Sequence, residues 1–427
     1  MQHISVNLIN IRRGIILVFF ILLFMLPGQV ISDEFTVIEE QKAWTALYYI
    51  GTDTSNPWWN IFVNIDILEA KLIKELASAD NLHVLVLQDR RRSPAVLYYI
   101  DEDHQKIVLD ELGEVNTGDP QTLKDFIAFG KEQYPADRYQ LVFFGHANAW
   151  YGLCPDDTNG GDALTIVECQ QALRDVDGVD LICFLGCCQM GNVESVYELI
   201  DVCDVYVGSE SSGNENDWHG MIDDMCKLLN DETSMSTIEI GYRIVELICN
   251  NPNEFYDTLT ISAIRTDFIV DLIDCFDALC LKLYESDTHL YQNLLAARNQ
   301  TKDYYFIKGS VLLDFTDFIN HYIAIETDET ILRLLENIQI NLSRSIIAEC
   351  HGPAEHNSHG LSVFYSSKDM LSIYADYGLD FTQDTHWDEL LIKHMKKGRS
   401  SLSEGFLLYQ PLTNIFDRYF TSSVKAK

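Results

Sequence analysis

Basic residues are scarce in this chain: 30 Lys and Arg stand against 65 Asp and Glu, a formal charge of −35. An excess of that sign repels a phosphate backbone and favours solubility, which argues against nucleic acid as a partner. Cysteine is absent before Cys154, and the eleven cysteines from there on show no Cys-x-x-Cys motif, with Cys187 and Cys188 directly adjacent. A zinc ribbon or finger needs such a motif, so neither is expected. At 427 residues the chain is too long for a disulfide-stapled mini-fold, and an odd cysteine count leaves at least one thiol over. No internal repeat or low-complexity tract breaks the pattern.

Long apolar runs are also missing, with one exception. Arg12 and Arg13 precede an uninterrupted apolar stretch from Gly14 to Leu26, followed by Pro27 and Gly28. The run is short for a bilayer span and has the layout of an export signal. Residues 1–32 are therefore expected to be a signal peptide or N-terminal anchor, making the protein secreted or cell-surface, with membrane contact only through that segment. This stretch contains two arginines and no acid, so the acidity belongs to the folded part.

With 47% hydrophobic residues, the rest of the chain can bury a sizeable core. The runs Lys42–Ile50, His83–Asp89, Tyr139–Gly145, Asp180–Gly186 and Asp204–Ser209 are apolar on both faces and read as buried strands. Helical patterns alternate with them near Ile61–Leu76, Gln121–Tyr134, Thr165–Val176 and Gly191–Ile200. A hairpin is expected over Ala95–Ile100 and Lys106–Asp110. This alternation predicts an α/β fold with a mostly parallel sheet covered on both sides. We place that domain at 40–265. A mainly helical C-terminal region with a late strand at Gly360–Ser367 follows at 266–397, then a tail at 398–427. The histidines at 351, 356 and 359 lie among Gly and Pro and read as loop.

Ligands of parallel sheets bind outside the carboxyl ends of the strands. Two chemically competent residues lie just there: His146 after YQLVFFG, and Cys188 after DLICFLG, with Cys187 beside it. A thiolate is the attacking species in thiol chemistry, and an imidazole can remove the thiol proton or stabilise the thiolate. A helix starting near Gly191 is expected to help by placing its positive end near Cys188.

The segment GHANAWYG (Gly145 to Gly152) resembles the Asp-His-Gly-x-Gly-Trp element of clostripain-like C11 peptidases, in the caspase-like clan. CQMGNVESVYEL (Cys188 to Leu199) resembles that family's nucleophile block, whose register selects Cys188 over Cys187. WTALYYIGTD at Trp44, Asp162–Thr165, Ser209-Glu210 with Trp218, VLLDFTDF at Val311 and GLSVFYSS at Gly360 match further blocks in the same order. The resemblance implies a caspase-like α/β/α sandwich and a cysteine endopeptidase acting on protein or peptide substrates. It makes His146 and Cys188 the catalytic pair and assigns the oxyanion to backbone N–H groups of Ala147 and Cys188. No cofactor is required by these residues. Calcium enters by family analogy alone, since the prototype is calcium-activated, with Asp156 and Asp157 as a candidate edge.

Three departures qualify the resemblance. Gly186 stands where the family carries an acid, Ala147 where it carries Gly, and Asn216 where members that cut after Arg or Lys carry an acid. Glu215 and Asp217 flank Asn216, and the three are the candidate specificity residues. The competing reading is a catalytically silent relative serving as a cell-surface binding module. Arg174 is the single basic residue between His146 and Cys188. It falls in an expected helix, so no activating cleavage is expected there.

Overall fold

The apolar run expected to open the domain forms strand β1, Lys42–Gly51, and all but its first two residues are buried. It is flanked by two parallel neighbours, β2 (Leu82–Arg90) and β5 (Ala136–Gly145). β5 is followed in the sheet by β8 (Leu181–Leu185) and β9 (Val205–Gly208), again in parallel. Strands β3 (Ser93–Ile100) and β4 (Lys106–Gly113) add antiparallel to one side. On the other side, β10 (Thr260–Arg265) and β13 (Ile346–His351) do the same. The result is a nine-stranded sheet of order β13-β10-β9-β8-β5-β1-β2-β3-β4, parallel through its centre. Between β5 and β8 the chain forms a short antiparallel pair, β6 (Leu153–Asp156) and β7 (Asp162–Leu164). This computed structural model describes residues 39–54, 65–212, 220–250, 256–286, 288–306, 310–366 and 369–397.

Period-two alternation distributes each strand's side chains over two separate cores. Leu47, Tyr49, Leu141 and Phe143 pack with the helices Pro120–Gln133 and Ile166–Arg174. Tyr48, Ile50, Val142 and Phe144 face the helices Ile65–Glu75, Ile222–Asp231 and Thr237–Cys249. Two apolar faces, each covered by helices, make the α/β/α sandwich that the run of both-face-apolar strands predicts. Each large aliphatic side chain buried this way contributes about 1.5–3 kcal/mol.

The C-terminal part is more than a helical appendix. Besides the helices Ile269–Glu285, Thr288–Arg298, Phe315–Ile325 and Glu329–Ser345, it supplies β13 to the large sheet and forms a second sheet. That sheet orders β11 (Asp303–Tyr305), β12 (Val311–Asp314) and β14 (Ser362–Tyr365) antiparallel. The boundary expected at residue 265 thus falls at the end of a strand in the shared sheet, and Ile38–Lys427 forms one unit. Cys249 and Cys350 form a disulfide joining the helix Thr237–Cys249 to β13, a pairing the sequence left open. Among the described residues, no helix is long and apolar enough to cross a membrane. The expected signal segment 1–32 and the tail 398–427 lie outside them.

Candidate active site

Strand register brings the two candidate residues to one edge of the sheet. Phe144 of β5 stands opposite Leu185 of β8, so both strands release the chain at the same level. His146 is the first residue after β5, and Cys188 follows the end of β8 by three positions. The Ala149 N–H donates to the Cys188 carbonyl at 3.4 Å, tying the two turns together. Both side chains are nearly enclosed, at 8% and 6% exposure.

Local geometry explains the residue types in the histidine turn. Gly145 has φ +151°, and a Cβ there would lie 2.3 Å from the Gly51 carbonyl oxygen, so the entry to His146 requires glycine. The His146 carbonyl accepts from Cys154 N–H at 2.8 Å, and Asn148 N–H donates to the Gly152 carbonyl at 2.9 Å. Trp150 is buried against Phe364, Tyr374 and Tyr377 of the C-terminal part. Ala149 takes the left-handed conformation at φ +48°, whereas Ala147 is not among the positive-φ residues. An alanine therefore fits at 147 without backbone strain. Burial pushes the His146 pKa down to about 4, against a weaker upward pull from Asp157, so the imidazole is neutral at pH 7.

The cysteine turn is built differently from the expectation. Its helix runs from Val193 to Glu198, capped by Asn192, whose side chain accepts from Ser195 N–H. The helix thus begins at Val193, five residues beyond Cys188 and two beyond the expected start. The intervening N–H groups are used elsewhere: Gln189 donates to the Ser211 carbonyl at 2.9 Å and Gly191 to the Ser209 carbonyl at 2.7 Å. Gly186 adopts φ +68° and Gln189 φ +61°. A left-handed residue two places before Cys188 favours glycine, which gives a backbone reason for the missing family acid. Cys187 is 1% exposed, with its Sγ 3.7 Å from the Phe143 carbonyl, and burial drives its pKa well up. It packs into the sheet rather than toward solvent. Glu215, Asn216 and Asp217 lie outside the described residues.

The sequence places Glu194 and Glu210 in matched blocks but does not show what they hold. Glu194 is fully buried and accepts from Phe364 N–H at 2.8 Å and from Tyr374 O–H at 3.1 Å. Burial raises its pKa to about 7. Gly191 carbonyl receives both the N–H and the O–H of Ser362, at 2.9 and 3.0 Å. Glu210 accepts from Ser358 O–H and Gly360 N–H. The C-terminal blocks therefore clamp the segment that follows Cys188. Nothing in the spacing of Glu194 or Glu210 signals this, because their partners lie 148 to 180 residues away.

One edge of the site carries four carboxylates, Asp53, Asp89, Glu114 and Asp156, whose oxygens lie within 4.8 Å of one another. Asp156 joins this group and Asp157 does not. The four are oxygen-only donors, and two oxygens of Asp89 and one of Asp53 are buried without a hydrogen-bond partner, so they fit a calcium ion. A cavity lined by Lys131, Tyr139, Asp180 and Asp204 opens at the other end of β5 and β8 and is remote from this chemistry.

Comparison with known proteins converges on one family. The clostripain-family (peptidase C11) profile matches residues 49–394. Clostripain from Hathewaya histolytica is 33% identical over 99 residues, which covers 20% of this chain and 19% of clostripain. An inactive zymogen C11 protease from Parabacteroides distasonis superposes with a TM-score of 0.59 at 20% identity, covering 82% of this chain and all of that one. A secreted C11 cysteine protease from Bacteroides thetaiotaomicron gives 0.60 at 16% identity, with 81% and 100% covered. These structures share the fold, and the profile spans most of the sequence: the chain belongs to the clostripain family of C11 peptidases.

Proposed function

We propose that this protein is an extracytoplasmic cysteine endopeptidase in which Cys188 attacks the scissile carbonyl and His146 carries the proton. The observation that supports this most is the pairing of their turns at adjacent parallel strand ends, joined by the Ala149 to Cys188 hydrogen bond. A neutral imidazole accepts the Cys188 thiol proton as the sulfur bonds to the carbonyl carbon. The resulting oxyanion is received by the N–H groups of Ala147 and Cys188. Collapse breaks the C–N bond, the leaving amine takes the proton from His146, and water, deprotonated by His146, then hydrolyses the thioester to acid and free thiol.

Substrates in this reading are proteins or peptides. A B. thetaiotaomicron relative is described in complex with an irreversible peptide inhibitor, which supports the same ligand class here. For the residue before the cut we propose Arg or Lys, drawn by the carboxylates of Glu215 and Asp217 beside Asn216 through charge-assisted hydrogen bonds. Export is supported by the apolar segment after Arg13 and by the Cys249–Cys350 disulfide, a bond that persists in oxidising compartments. Calcium, which the family prototype requires, would be held by Asp53, Asp89, Glu114 and Asp156 and would supply charge compensation there, with no chemical step passing through it.

The test is hydrolysis of fluorogenic peptide libraries by the wild type, Cys188→Ala and His146→Ala. Loss of at least about a thousandfold in kcat/KM in both variants is expected, in line with removal of a nucleophile or its base. Equal hydrolysis by the wild type and Cys188→Ala rules the proposal out.

A further inference from the structure

The carboxyl edge of the large sheet continues past the candidate site. Leu185 of β8 stands opposite Phe144 of β5, Gly145 opposite Gly51 of β1, and Gly51 opposite Asp89 of β2. The turns bearing Cys188, His146 and Asp53 are thus followed, along the same edge, by the turn from β2 to β3. Arg90 pairs with Ser93 there, which leaves Arg91 and Arg92 at the tip. Three arginines in a row stand out in a chain with 30 basic and 65 acidic residues.

The fold makes no use of the charges at this tip. Arg91 and Arg92 are exposed, and among the described residues neither forms an ion pair. The acid cluster next to them in the chain does not engage them, because the charges acting most on Asp89, Glu114 and Asp156 are other carboxylates. Asp53, Asp89 and Asp156 are also fully buried, so of that cluster Glu114 alone is exposed. A guanidinium stays charged at any working pH, and its planar fork matches a carboxylate with two parallel hydrogen bonds. Two adjacent unpaired guanidinium groups suit an acidic ligand.

We propose that Arg91 and Arg92 form a subsite for acidic side chains of a peptide substrate, about three to five residues after the cleaved bond. The placement rests on the peptidase reading above, in which the residue before the cut is received on the β9 side of Cys188. The residues after the cut then pass over His146 toward β1 and β2. Neighbouring strands lie about 4.8 Å apart, so the three steps from β8 to β2 span about 14 Å. An extended peptide advances about 3.3 Å per residue, which brings roughly its fourth residue after the cut to the arginine turn. The chain's overall negative charge does not cancel this local attraction, because at physiological salt exposed charges act over about 8 Å. The substrates selected in this way are proteins whose cleavage site is followed closely by a run of Asp or Glu.

The experiment compares two fluorogenic peptide series that share one cleavable bond, after the residue a library selects or, failing that, after Arg. One series carries Asp and the other Asn at the third to fifth positions after the cut. Wild type is expected to favour the Asp series about three- to tenfold in kcat/KM, mainly through KM, the size that two exposed ion pairs supply. The double variant Arg91→Gln/Arg92→Gln is expected to bring that ratio to about one while cutting the Asn series at the wild-type rate. Arg91→Lys/Arg92→Lys keeps most of the preference, and about 0.5 M NaCl reduces it. Equal cleavage of both series by wild type, or a preference that survives in the Gln variant, overturns the proposal. Loss of binding to phosphatidylglycerol vesicles as the sole effect of the Gln variant also overturns it and assigns the turn to a membrane surface. Anisotropy of the same peptides, fluorescein-labelled, with Cys188→Ala separates this from the peptidase reading. If no peptide is cleaved but the Asp series binds more tightly and loses that advantage in the Gln background, the peptidase reading fails and the acidic-peptide site stands. Equal binding of both series removes the site whether or not peptides are cleaved.

Discussion

Replacing Glu194 tests whether the C-terminal part really holds the segment after Cys188. In Glu194→Ala, Phe364 N–H and Tyr374 O–H lose their common acceptor inside the core. Each buried donor left unmatched costs about 1–3 kcal/mol, so the variant is expected to lose about 2–5 kcal/mol in urea denaturation at pH 4.5. Glu194→Gln retains the accepting oxygen and cannot ionise, so it is expected to stay within about 1 kcal/mol of wild type at pH 4.5 and to exceed it by about 3 kcal/mol at pH 7. The pH dependence gives a sharper result. The folded pKa is raised by burial from 4.5 to about 7, so Glu194 contributes stability that is full below pH 4.5 and lost as pH rises through 7. Over that window the loss is about 3 kcal/mol, since a pKa difference of one between folded and unfolded chains corresponds to about 1.4 kcal/mol. Subtracting the Glu194→Gln curve from wild type isolates this fall from other titrations. A flat difference curve between pH 4.5 and 7, or an alanine variant within about 1 kcal/mol of wild type at pH 4.5, refutes the reasoning.

Two further outcomes are expected. Because burial lowers the His146 pKa to about 4, the acid limb of kcat/KM should fall near that value rather than at 6.5, and a limb at 6.5 in a protein still folded at pH 5 contradicts the neutral imidazole. Arg174 closes the helix Ile166–Arg174, which carries a Thr165–Glu168 capping box, and pairs with Asp201 at 3.2 Å. Arg174→Gln should therefore leave activity and chain integrity unchanged. Purified wild type split into two fragments between residues 150 and 185 shows that this is wrong.

The parallel centre of the sheet was legible because β1, β2, β5, β8 and β9 are buried on both faces, so their sequences are nearly continuous apolar runs. The same feature placed His146 and Cys188, since residues just past such a run stand at its carboxyl end. β13 was missed, being a half-buried edge strand whose short apolar start, IIA, runs straight on from the helix Glu329–Ser345 and ends in Glu-Cys-His. The start of the helix after Cys188 was placed two residues early although Asn192 is a good N-cap, because the tertiary bonds of Met190 and Gly191 are not visible in the sequence. Backbone bonds to Ser209 and Tyr206 O–H hold them outside it. Asp53, Asp89, Glu114 and Asp156 are spread over about a quarter of the chain and meet only through strand order, so no spacing rule could have gathered them.

The central claim is that Cys188, and not its neighbour Cys187, forms the covalent intermediate. Acid quenching of the enzyme during peptide turnover, followed by mass spectrometry of the fragment containing both cysteines, reads this directly. The account predicts an acyl adduct on Cys188, absent in Cys188→Ala and retained in Cys187→Ala. An adduct on Cys187 or on another residue, or continued turnover by Cys188→Ala, contradicts it.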